Sequence, residues 1–126
     1  MTPISKTMAA ALLALVAASC GSVSTSRETA RDQATTATCD RLMQCGNIGD
    51  GKAFSSYDNC KIMEQSFWEG HWDAATCDNK IDGANLTVCL SAISATDCGN
   101  GLDLFATLAK CDEAKVCDAA SSPDGG

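Results

Sequence analysis

Nine cysteines are the residues of this chain most able to do chemistry: Cys20, Cys39, Cys45, Cys60, Cys77, Cys89, Cys98, Cys111 and Cys117. Thiols can be acylated, can bind metal or can pair as disulfides, and position decides among the three. Cys20 stands apart. It follows Met8 to Ala18, an apolar run of eleven residues behind the single cation Lys6, and it is preceded by the small residues Ala17-Ala18-Ser19. The run is too short to span a bilayer, which needs about 20 residues, but it suits the core of a signal peptide. Val16 to Cys20 has the form of a bacterial lipobox, with Ala17 where leucine is usual. Residues 1–19 are therefore expected to be a signal peptide and Cys20 the lipid-bearing first residue of the mature protein. Cleavage by ordinary signal peptidase near Ser19 is the rival reading. Gly21 after the cysteine, in place of the aspartate that marks inner-membrane retention, favours the outer membrane of a bacterial cell envelope.

Removing Cys20 from the count leaves eight cysteines in about 100 residues, an even number at the density of a disulfide framework. Structural zinc sites use short paired spacings such as C-x₂₋₄-C, none of which occurs here, and His71 is the one histidine. Four bridges among Cys39, Cys45, Cys60, Cys77, Cys89, Cys98, Cys111 and Cys117 are expected, with no metal and no cofactor.

Three motifs offer other chemistry. Gly46 to Lys52 matches G-x₄-G-K, but Ala53 replaces the magnesium-binding hydroxyl and a helix is expected where a phosphate loop needs a strand. Asp78 to Cys89 has Asp78, Asp82 and Gly83 at calcium-loop positions, but Lys80 and Cys89 stand where acids should close the cage. His71 lies between Trp68 and Trp72 with Ser66, Glu69 and Asp73 near in sequence. A base needs its partners converged in space, so packing at a helix end is the plainer role. Trp68, His71 and Trp72 together form a candidate binding patch, with the tryptophans read as core first. Asn85-Leu86-Thr87 is a formal glycosylation sequon, discounted in a bacterial lipoprotein.

The elements that must position these residues read as helices. Arg27 to Cys45 contains no proline or glycine and ends at Gly46, with its apolar and bridging groups in the C-terminal half. A second helix starts near Ser55 or Ser56, where Asp58 makes a capping box with Ser55, and carries Cys60, Met63, Phe67 and Trp68 as an inward stripe. Trp72 to Gly83 reads as an irregular connector. A third helix, capped by Asp82, runs from about Ala84 to Ser94 with Leu86, Cys89, Leu90 and Ile93 on one face. A fourth spans about Leu102 to Asp112 with Leu104, Phe105, Leu108 and Cys111 inward. No period-two run of β-branched residues points to a sheet. The expected fold is all-α: about four short helices cross-linked by disulfides over residues 27–118, with a tether at 20–26 and a disordered tail at 119–126. An antiparallel hairpin of the first two helices predicts one pairing, Cys45 with Cys60.

The whole chain has a net charge of −7, and residues 1–19 contribute only Lys6, so the mature part carries −8. That charge opposes nucleic acid and anionic lipid head groups as partners. The expected membrane contact is the lipid alone.

The chain resembles a family of uncharacterised cysteine-rich myxobacterial lipoproteins linked by genomic context to natural-product gene clusters. The resemblance covers about residues 37–98. It is carried by Cys39-x₅-Cys45, Ile48-Gly49-x-Gly51-Lys52, Ser56 and Cys60, then by Trp72, Cys77, Ile81-Asp82, Leu86, Cys89-Leu90, Ile93 and Cys98. It implies a setting in secondary metabolism and no particular reaction. The function expected is a non-enzymatic binding or accessory role in the envelope, toward a small molecule or an envelope protein. A small enzyme or maturation factor using His71, and a structural protein or inhibitor acting through its acidic surface, are the alternatives.

Overall fold

The computed structural model describes residues 25–99 and 107–119. The expected signal peptide, Cys20 and nearly all of the expected tether lie outside the described residues, as do 100–106 and 120–126. Among the described residues the protein is helical with no strand: α1 (Arg27–Gln44), α2 (Tyr57–His71), α3 (Ala74–Cys77), α4 (Gly83–Ser94) and α5 (Glu113–Val116). Residues 107–110, the described end of the expected fourth helix, are also helical. No helix among the described residues is long and apolar enough to cross a membrane.

Each helix start is fixed by a side chain that accepts an otherwise unbonded backbone N–H. Ser26 caps α1 through Thr29 N, Asp73 caps α3 through Thr76 N, and Asp112 caps α5 through Ala114 N. Asp82 caps α4 through Asn85 N, as its sequence position implied, and is thereby committed to the helix start. At α2 the expected capping box is displaced by one residue. Ser56 accepts from Asn59 N at 3.0 Å, and the Asn59 side chain reaches back to Ser55 N at 3.3 Å. The end of α1 is closed by Gly46 in the left-handed region (φ 73°), with Asn47 N bonding Leu42 O and Gly46 N bonding Met43 O. Only glycine holds that conformation at little steric cost, and the paired bonds satisfy the last carbonyls of the helix. The connector from Trp72 to Gly83 is less irregular than its sequence suggested, because Asp73 nucleates the single turn of α3 within it.

Helices α1 and α2 form the hairpin, and α4 packs against α1. The contact surface of α1 corrects the sequence reading. The N-terminal half, which lacks the apolar and bridging groups of the C-terminal half, holds the helix's most buried residues apart from Cys39: Arg27, Ala30, Ala34 and Thr35. Ala30 and Ala34 are a helical turn apart and present almost no side chain, which lets another element approach closely. Arg27 is the anchor of this end. Its Nε donates to Trp72 O at 2.6 Å, and its other nitrogen donates to Glu69 O and to the Glu69 carboxylate. Arg31 adds a second ion pair to Glu69 at 2.6 Å. The Arg31 and Arg27 hydrogen bonds hold the Glu69 carboxyl below the usual carboxylate range.

On α2 the inward stripe is also rotated from expectation. Cys60 and Trp68 are buried, but Met63 and Phe67 are largely exposed. The core is built around Trp72, which is fully buried, with Trp68, Ile81, Leu86, Cys89, Ile93, Cys111 and Val116. Among the described residues two buried side-chain polar atoms have no hydrogen-bond partner, Thr35 Oγ1 on α1 and Trp68 Nε1 on α2. Desolvating an unbonded hydroxyl costs about 1–3 kcal/mol in proteins. Thr35→Val keeps the shape and removes that atom, so it should raise stability by about 1 kcal/mol. A higher midpoint of chemical denaturation with an unchanged slope is the check.

All eight described cysteines are paired: Cys39–Cys60, Cys45–Cys98, Cys77–Cys117 and Cys89–Cys111. The expected Cys45–Cys60 bridge is therefore wrong, although the helical hairpin that motivated it is present. Cys39 precedes Cys45 by six residues, which on a helix is about 9 Å of rise and a turn of about 120° off the same face. The glycine-rich loop absorbs length by pairing with itself, Ile48 bridging Phe54 and Gly49 N donating to Phe54 O at 2.8 Å. Cys60 thus comes level with Cys39, at a Cα separation of 5.9 Å. Cys45, beyond the last helical residue, lies 5.3 Å from Cys98 after α4. The C-terminal end is also fastened by backbone bonds from Asp82 N to Val116 O and from Ala119 N to Lys80 O. Ala119, expected to begin a disordered tail, is therefore tied by its backbone to Lys80.

Candidate ligand pocket

Between the C-terminal half of α1 and the middle of α2 lies a cavity of about 250 Å³. Thr38, Arg41 and Leu42 of α1 form one wall, and Glu64, Phe67 and Trp68 of α2 form the other. Ile93 and Thr96 at the end of α4, with Thr107 and Leu108, complete it. The volume exceeds the roughly 150 Å³ of a dry apolar cavity that takes a benzene molecule.

Most of the polar groups in these walls are already bonded. Thr38 donates to Ala34 O, and Thr96 shares a hydrogen bond of 2.9 Å with Thr107. Arg41 donates from Nε to Thr96 O at 2.8 Å and from a terminal nitrogen to the Gln44 amide oxygen at 3.0 Å. The guanidinium is thus held to the end of α4 and makes no ion pair with Glu64. Glu64 is different. It has no hydrogen bond or ion pair among the described residues, and burial pushes its carboxyl above the usual range.

Of the three residues proposed from sequence as a binding patch, one reaches this cavity. Trp68 lines it with most of its ring buried. Trp72 is core: its indole N–H donates to Cys111 O at 2.8 Å and its ring lies 4.7 Å from that of Trp68. His71 is half-buried, with Nε2 at 3.2 Å from the same Cys111 carbonyl and its ring stacked on Phe67 at 5.3 Å. The groups near it in sequence serve elsewhere, Glu69 in the arginine clamp and Asp73 as a helix cap. Among the described residues no group of three or more His, Cys, Asp and Glu could hold a metal.

Glu64 and Phe67 were missed as site residues. The signal for Glu64 was present: on α2 it falls four residues after Cys60 and four before Trp68, so it shares their buried face. A carboxylate on the inward stripe of a small helical protein is unusual unless it is paired or functional.

The chain is therefore a disulfide-cross-linked all-α protein with a largely apolar cavity between α1, α2 and the end of α4, lined by one acid that has no partner among the described residues. It belongs to DUF6184, a family of unknown function, which matches residues 39–119, more than half of the chain. No curated protein and no solved structure matches it.

Proposed function

We propose that this protein is a bacterial cell-envelope lipoprotein that binds a small, mainly apolar molecule without transforming it, its body tethered by lipid on Cys20. The cavity between α1 and α2 is the observation that carries the binding role. It has the concave, mostly apolar walls and the few polar groups of a ligand site. The framework of four bridges supports an oxidising compartment, since such bridges do not persist in a reducing cytosol. The resemblance to myxobacterial lipoproteins of natural-product gene clusters makes a secondary metabolite, bound for handling or export, the ligand class to try first. Outer-membrane placement follows from Gly21 in the lipobox reading.

Two experiments test the two halves. Cys20→Ala should abolish incorporation of labelled palmitate and leave the precursor uncleaved by the lipoprotein peptidase; unchanged labelling refutes the anchor. For the pocket, a panel of small aromatic compounds should shift the NMR signals of Leu42, Trp68 and Ile93 together and leave those of α5 unchanged. Scattered or absent shifts across the panel refute the binding role.

A further inference from the structure

Resting on that reading of the cavity, we propose that it binds a small apolar amine, whose ammonium group is held by the Glu64 carboxylate and whose hydrocarbon body lies against Phe67, Trp68 and Ile93.

The argument begins with what Glu64 lacks. A carboxylate moved out of water is normally compensated by a base or by hydrogen-bond donors. Glu64 is half-buried and has neither among the described residues, although a guanidinium lines the same cavity. Arg41 makes no ion pair with Glu64; its Nε is directed to Thr96 O and one terminal nitrogen to Gln44. The carboxylate is left without a counter-ion among the described residues, and its raised proton affinity reflects burial. A ligand cation would supply the missing partner.

The remaining walls favour an ammonium over a neutral donor. Phe67 and Trp68 lie edge to face with ring centroids 5.0 Å apart and share the lining with Glu64. Aromatic faces attract cations through their quadrupole. Leu42, Ile93 and Leu108 offer only hydrocarbon. A ring or short chain bearing one ammonium satisfies all of these surfaces. An anion would be repelled by the Glu64 carboxylate, which attracts an ammonium.

The test compares three phenethyl probes that differ in their polar end, on the oxidised mature protein at pH 7 by calorimetry: phenethylamine, 2-phenylethanol and 3-phenylpropanoate. Phenethylamine should bind about tenfold more tightly than the alcohol, and the carboxylate should bind least. Glu64→Gln should erase the amine's advantage while leaving the affinity for the alcohol within about twofold, which also shows that the variant is folded and its cavity intact. Equal affinity for amine and alcohol, or an amine preference that survives in Glu64→Gln, overturns the ammonium assignment and leaves the pocket standing. No binding of any of the three overturns both.

Discussion

Replacing Trp72 by alanine should cost about 4 kcal/mol, the upper range for removing a buried aromatic side chain. Trp72 is the residue on which most of the structure converges. Its ring is fully buried against Trp68, its indole N–H donates to Cys111 O on the C-terminal side, and its own carbonyl receives Arg27 from the start of α1. Alanine would empty the centre of the core and leave the Cys111 carbonyl to His71 alone. Trp72→Phe separates the two contributions. It keeps most of the packing and removes the N–H, so its cost should be about 1–3 kcal/mol. Denaturant titration of the three proteins, with disulfides intact, measures both. A Trp72→Ala loss below that of Trp72→Phe would mean that the ring is not the keystone of this core.

The second large effect concerns a bridge. Cys45→Ala combined with Cys98→Ala should lower stability by about 4 kcal/mol, because the bridge closes a 53-residue separation and loop-closure entropy grows with the logarithm of its length. This pair is the cleanest place to see that effect. Cys98 is exposed and Cys45 only half-buried, so little packing is lost with the sulfurs. Cys89 and Cys111, by contrast, are both fully buried, and removing them would open a void as well. Denaturation midpoints of the double variant against wild type, both oxidised, give the number. A change below about 1 kcal/mol would show that the unfolded chain is already compact around this contact.

Features encoded locally were legible in the sequence. Asp82 as a cap, Gly46 as a stop and the α4 stripe of Leu86, Cys89 and Ile93 each depend on residues within four positions, and each is found as expected. The pairing of Cys45 depended on how a ten-residue loop folds and on where α4 ends, neither of which is local. The packed half of α1 was misread for a different reason. Its inward residues are Ala30, Ala34 and Arg27, which carry little hydrophobic signal, yet small side chains are what allow close helix packing. Glu64 carries no hydrophobic signal, yet the acid on the face of Cys60 and Trp68 marks the cavity. Trp68, His71 and Trp72 do cluster, but the cluster is mostly interior, with only Trp68 reaching the pocket.

The wiring of the four bridges has a consequence for a chain that is cut. Cys39–Cys60 spans the first stretch, Cys45–Cys98 overlaps it and runs on, and Cys77–Cys117 overlaps that in turn. At every peptide bond from Cys39 to Cys117, at least one bridge joins the two sides. A protease that nicks the glycine-rich loop, the α3 connector or the segment after α4 therefore releases nothing. The pieces remain one covalent object, each broken end held beside its former neighbour, and a second cut is needed before any fragment can leave.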